Sequence, residues 1–115
     1  MISPGEIYFA DVSPGGRRPA IVVSREILNR GRYVVVVTCS SRNVAKKSSY
    51  PNCILLSAGR YGLTLDTVAQ GESVSVIERS ALDSSAGPIG VLDDATFREV
   101  IRAIGFVIGS DCEPE

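Results

Sequence analysis

The chain has 115 residues, 44% of them apolar and 22% charged, with a formal net charge of −1. This suits one globular domain with its own core, expected to run over 1–115, and is too apolar for a disordered chain. Histidine is absent, which excludes Ser-His-Asp and Cys-His catalysis, and no apolar run is long enough to span a membrane.

In chain order, "GEIYFADV" (5–12) predicts a first strand from its aromatic and β-branched residues. The start "MISPGEIYF" lacks the apolar core of a signal peptide, so the cytosol is the expected location. "SPGG" (13–16) predicts a turn, and "RPAIVVS" (18–24) a second strand with Pro19 at its first position or on an edge. "REILNRG" (25–31) holds one helical turn that stops at Gly31. "RYVVVVTCS" (32–40) is the clearest strand, its valines implying burial on both faces. The polar, basic "SRNVAKKSSYPN" (41–52) predicts a long loop, followed by a short strand "CILLS" (53–57) and a turn region "AGRYG" (58–62). "DTVAQGESVSVIE" (66–78) predicts one or two strands with a bulge or bend at Gly71, "RSALD" a short turn, and "GPIGVL" (87–92) a last strand.

The period then changes. In "DDATFREVIRAIGFVIGS", residues Phe97, Val100, Ile101, Ile104, Val107 and Ile108 recur at helical spacing. Asp93 or Asp94 suits the N-cap and Gly109 the C-terminal stop. The expected architecture is mainly β (α+β): a small, bent antiparallel sheet, SH3-like and barrel-forming, with a long C-terminal helix and short helical turns.

Charge is segregated. Arg17, Arg18, Arg25, Arg30, Arg32, Arg42, Lys46, Lys47 and Arg60 are offset within 17–60 only by Glu26, a local charge of about +8, whereas the rest of the chain holds three cations and twelve anions. Either the basic segment meets a polyanion, or the acidic remainder folds back on it. Cys39 and Cys53 lie in apolar strands and read as buried thiols, while Cys112 lies in a polar tail. No zinc pattern, P-loop or dinucleotide fingerprint is present, so no metal or cofactor is implied.

Three constellations remain. Arg17 and Arg18 follow a Gly-Gly turn; an arginine there offers a planar fork of donors to phosphate, or is a surface charge. "TCSSR" (38–42) puts hydroxyls at a strand end, as phosphate donors or as solvated termination. Asp66 and Glu72 offer carboxylates, as proton acceptors for a 2′-hydroxyl or as caps and surface charges.

Together these resemble the MazF/PemK toxins. "GEIYFADVSP…RRPAIVVS" resembles the family's GE-I-W-x-V-D-x-x-P, loop and RP-A-x-V-V-S; "YVVVVTCSSR" its strand ending in P-[IL]-T-S. "GLTLDTVAQGESVSVIERSAL" resembles G-L-x-x-D-S-V-x-x-x-[ED]-Q-[IV]-R-T-[IV]-D, and "IGVLDDATFREVIRAIGFVIG" the final strand and helix. The resemblance covers nearly the whole chain. It implies a homodimeric SH3-like barrel that cuts single-stranded RNA, mRNA included, at short motifs without a metal. Attack of a 2′-hydroxyl would leave a 2′,3′-cyclic phosphate and a 5′-hydroxyl, and a cognate antitoxin would cover the site.

By position the resemblance assigns the reacting phosphate to Arg18, the strand-end hydroxyl to Ser40 (where threonine is usual), and the two carboxylates to Asp66 and Glu72, Glu72 being the first candidate base. In this frame Arg17, Arg42, Lys46, Lys47 and Arg60 would track the RNA backbone, and Tyr50 or Tyr61 would stack on a base or simply pack. The chain departs from the pattern in its short "SPGG" loop, its lack of histidine, and Gln70 and Ser75 where relatives carry arginine. A non-catalytic RNA-binding barrel is therefore the alternative. A gyrase poison of the CcdB type is a third reading, weakened by the absence of the C-terminal tryptophan those toxins use.

Overall fold

Strand parity organises the molecule. In the computed structural model, which describes residues 1–12 and 16–109, the strands are β1 (Glu6–Val12), β2 (Gly16–Val22), β3 (Tyr33–Ser40), β4 (Cys53–Leu56), β5 (Thr67–Glu78) and β6 (Gly90–Val91). Between them lie the short helices α1 (Glu26–Asn29) and α2 (Val44–Lys47) and a 3₁₀ turn at Arg79–Ala81; α3 (Asp94–Ile108) closes the chain. The turn expected at 13–16 falls mostly, and Cys112 wholly, outside the described residues.

The strands form one antiparallel sheet in the order β4-β5-β3-β2-β1-β6. Successive side chains take opposite faces, so β1 and β2 each supply two cores. Ile7 and Ile21 join Val37, Cys39, Leu56, Ala69 and Val100 on one face, under α3. Tyr8, Ala10, Ala20 and Val22 join Val34, Val36 and Leu82 on the other. The valine run thus buries Val34 and Val36 on one face and Val37 on the other, with Val35 half-buried.

The sheet curls into a half-barrel because its ends are drawn together by the segment after β4. Gly62 (φ +74°) lies so close to β6 that an added Cβ would stand 1.9 Å from the Ile89 carbonyl oxygen, and one on Gly90 would stand 2.0 Å from that of Tyr61. Only two glycines permit this backbone-on-backbone closure.

Helix α3 starts at Asp93, whose carboxylate accepts the Thr96 N–H, and stops at Gly109 in the left-handed conformation. Its apolar stripe is wider than the sheet covers: Val100 is buried, with Phe97 and Ile104 packed on the same core, while Ile101, Val107 and Ile108 stay exposed.

The segment 41–52 is not all loop, since α2 forms within it after Asn43, itself in the left-handed region (φ +53°). The last strand is shorter than expected, only Gly90–Val91 pairing with Ile7 and Glu6. Residues 67–78 form a single strand, irregular near Gly71: Val37 faces Val74, but Cys39, two residues on, faces Ala69. The extra β5 residues there include Gln70, Gly71 and Glu72.

Candidate RNA-cleavage site

The site begins with Pro19. In the β1–β2 ladder Phe9 faces Pro19, and the Phe9 carbonyl accepts the Asp83 N–H on the side away from β2. Phe9–Pro19 is therefore a non-hydrogen-bonded pair, and the nitrogen of Pro19 is directed at β3. Proline has no N–H to give, and the β2–β3 ladder, which pairs Val22–Val36, Ile21–Val37 and Ala20–Thr38, ends there. Continuing that register sets Arg18 across from Ser40. The lapse in pairing opens a groove of about 380 Å³, lined by Arg17, Arg18 and Pro19 on one side and Cys39 to Arg42 on the other. Pro19 is thus an interior residue of β2 whose β3 side is unpaired, rather than the strand's first residue.

The two arginines diverge by the same parity. Arg17 projects on the Phe9 side, its guanidinium 4.9 Å from that ring centre and 2.7 Å from Asp83 Oδ2. Bonds from Arg17 and Ser85 hold the Asp83 carboxyl below the usual carboxylate range. Arg18, half-buried, lies on the face of Ala20 and Val22.

Ser40 keeps only 8% of its surface exposed. Its Oγ accepts the main-chain N–H of Arg42 (3.1 Å) and the ammonium of Lys47 (3.4 Å). Lys47 also donates to Gln70 Oε1 (3.3 Å), Gln70 Nε2 to Glu72 Oε2 (3.0 Å), and Asn52 Nδ2 to Glu72 Oε1 (2.7 Å). One chain of bonds therefore runs from Ser40 to Asn52 across β3, α2, β5 and the residue before β4. Pairing of Cys53 with Gln70, and the Gly71 N–H to Asn52 carbonyl bond, hold its far end.

Burial pushes the Glu72 pKa up, but bonds from Gln70, its own main chain and Asn52, with the Lys47 charge, outweigh it and leave the pKa lowered. Glu72 is a firmly ionised anchor with both oxygens engaged. Asp66 is held elsewhere, its Oδ1 accepting the Ala58 N–H in the segment between β4 and β5.

Among the other predicted contacts, Arg42 is exposed at the groove, Lys46 is exposed on α2, and Tyr50 is 44% exposed just after that helix. Arg60 joins a different set: it lies over the Tyr61 ring at 4.7 Å and 3.7 Å from Asp93, which Tyr61 also hydrogen-bonds. The fold-back reading of the segregated charge holds for three of the cations. Asp83, Glu78 and Asp93 fold back on Arg17, Arg32 and Arg60, whereas among the described residues Arg42, Lys46 and Lys47 have no carboxylate within salt-bridge distance.

Neither described cysteine offers a thiolate. Burial pushes Cys39 up to about 12, and Cys53 is raised by burial and by Glu72, against the opposing charge of Lys47. Among the described residues no group of three His, Cys, Asp or Glu side chains is placed to hold a metal ion. Sequence reasoning missed the bonding role of Gln70 and any role for Asn52. Gln70 stands out in sequence only as a replaced arginine, and Asn52 carries no local signal because its place depends on β4–β5 pairing.

A curled sheet under one helix, with an arginine and a buried hydroxyl facing each other across an unpaired strand gap, is a frame for contact with a phosphate. Residues 3–108 match the model of the PemK-like, MazF-like toxins of type II toxin–antitoxin systems, and the chain belongs to that family. It is 30% identical to endoribonuclease EndoA of Bacillus subtilis over 110 residues, covering 90% of this chain and 91% of that one. It is 33% identical to endoribonuclease MazF9 of Mycobacterium tuberculosis over 113 residues, covering 89% and 94%. Among solved structures, an endoribonuclease in complex with its cognate antitoxin, from a mycobacterial species, shares the fold with a TM-score of 0.77 at 20% identity, over 99% of this chain and 100% of that one. A MazE–MazF structure from Deinococcus radiodurans gives 0.72 at 20%, over 94% and 95%. No helix among the described residues is long and apolar enough to cross a membrane.

Proposed function

We propose that this chain is the toxin of a type II toxin–antitoxin pair: a sequence-specific endoribonuclease that cuts single-stranded RNA, mRNA included, in the cytoplasm, with residues 1–115 acting as one domain. Its relatives EndoA and MazF9 are named endoribonucleases. The observation that carries the reading to this chain is the placement of Arg18 across the strand gap from Ser40, at the lip of a groove continued by Arg42.

In the proposed step a 2′-oxygen bonds to the adjoining phosphorus as the bond to the 5′-oxygen breaks, giving a 2′,3′-cyclic phosphate and a 5′-hydroxyl. The 2′-hydroxyl proton passes to water and the departing 5′-oxygen takes one from water, so protons balance. Arg18 and the Ser40 hydroxyl hold the charge that gathers on the phosphate oxygens, the electrostatic stabilisation that such sites rely on most. Glu72 serves by anchoring Lys47 through Gln70, and Asp66 by closing the segment that leads into β5. Arg42 and Lys46 line the RNA path, with Tyr50 as the base-stacking candidate, while Lys47 is held between Ser40 and Gln70. Arg17 and Arg60, each already paired with a carboxylate, have secondary parts.

The protein partners in this reading are the cognate antitoxin and a second copy of the chain. The exposed Ile101, Val107 and Ile108 on α3 support the second copy as apolar surface left over from the fold.

The test is incubation of single-stranded RNA with the protein in EDTA. Cleavage is expected, and Arg18→Ala should reduce it about 10²- to 10³-fold without loss of folding. Salt-sensitive binding of RNA that stays intact would favour the non-catalytic barrel instead.

A further inference from the structure

Resting on that reading, we infer that Lys47 is the positioning residue of the site: with the Arg42 N–H it makes Ser40 a one-way hydrogen-bond donor aimed at the phosphate. A serine hydroxyl has two acceptor lone pairs and one proton. In this chain both lone pairs are engaged by donors, the Arg42 main chain at 3.1 Å and the Lys47 ammonium at 3.4 Å. An ammonium is donor-only and cannot take a proton bond in return. The Ser40 proton is then left to donate, and the groove shared with Arg18 lies beside it.

Lys47 is itself directed. It sits on the last residue of α2, and Gln70 accepts from it at 3.3 Å while donating to Glu72. The Gln70 amide is oriented by that ionised carboxylate, which accepts only from its NH₂ and so turns its oxygen toward Lys47. Glu72 in turn is fixed by Asn52. This gives a purpose to the irregular stretch of β5 near Gly71, which carries both Gln70 and Glu72. It also gives Gln70 a bonding role of its own. The cation that reaches the hydroxyl comes from α2.

The inference separates from simple backbone tracking by kinetics. Cleavage of a single-stranded transcript is followed under single-turnover conditions, at saturating protein, for the wild type, Lys47→Met, Lys47→Arg, Ser40→Ala and the Ser40→Ala/Lys47→Met double variant. Lys47→Met should lower the saturating rate about ten- to a hundredfold, the range for a hydrogen bond to a charged group, with little change in RNA affinity. Lys47→Arg should recover most of the rate. The double variant should be no slower than Ser40→Ala alone, because Lys47 acts through that hydroxyl. Gln70→Leu, which frees Lys47 without removing its charge, should lower the rate in the same direction, and it serves if Lys47→Met folds poorly.

The inference is overturned if Lys47→Met weakens binding and lowers the salt slope by about one while sparing the saturating rate, or if the Ser40 and Lys47 losses multiply. A wild-type protein that cuts no RNA overturns the nuclease reading itself, and this inference with it.

Discussion

Arg17 and Arg18 are neighbours in sequence and opposites in space. Strand parity sends Arg17 to Phe9 and Asp83, and Arg18 to the gap opposite Ser40. The sequence alone made Arg18 a candidate, but the reason for its setting is Pro19, whose missing N–H ends the β2–β3 ladder one step before it. Glu72 shows the opposite limit. As a carboxylate near the site it reads as a proton acceptor, yet its lowered pKa and two engaged oxygens suit an ionised anchor. Glu72→Gln should therefore cost about tenfold in cleavage rate, the size of one lost charged hydrogen bond, rather than the 10²–10⁴-fold typical of a lost general base. Single-turnover rates decide between them. The sign of the pKa shift also bears on pH: a lowered carboxyl stays ionised at its ordinary value and protonates only below it, so titration of Glu72 should cause no fall in rate between pH 7 and 5.

At the scale of elements, local patterns were legible where a face is periodic or a cap is specific. Helix α3 follows from its stripe and from Asp93 and Gly109, and β3 from its valines. Helix α2 was not legible, because four residues, Val44 to Lys47, entered through a left-handed Asn43 are too few to carry a periodic signal. Nor was the Ser40-to-Asn52 bond chain, which exists only once β4 pairs with β5. The closure of the half-barrel depends on Gly62, where a side chain meets both a positive φ and the Ile89 carbonyl. Gly62→Ala should cost about 2–4 kcal/mol in urea unfolding, combining left-handed strain with overpacking. The start of α3 has an acid limit. Bonds from Tyr61 and Thr96 lower Asp93 from its ordinary value to about 2. Its stabilising contribution is whole above the ordinary carboxylate range and disappears as pH falls toward 2. Thermal melts between pH 5 and 2 should show Asp93→Asn melting lower than wild type at pH 5, with the gap closing in acid.

For the whole molecule, the near-zero net charge conceals a division that the fold only partly cancels. Carboxylates meet Arg17, Arg32 and Arg60, while Arg42 at the groove and Lys46 and Lys47 on α2 meet none among the described residues. A polyanion bound there should release counterions, so RNA affinity should fall steeply with salt, and Lys46→Ala should flatten the slope by about one. The exposed apolar residues of α3 belong to the same scale, and sedimentation should give about twice the chain mass if they meet a second copy. Periodicity could show that α3 has an apolar stripe but not how much of it the sheet would cover, since the sheet's width is a tertiary property. The central claim, that Arg18 and Ser40 promote 2′-hydroxyl attack, is tested most directly by the end groups of RNA fragments produced in EDTA. The expected ends are a 2′,3′-cyclic phosphate and a 5′-hydroxyl, formed by wild type and almost lost with Arg18→Ala; a 3′-hydroxyl with a 5′-phosphate, or an undiminished Arg18→Ala rate, would contradict it.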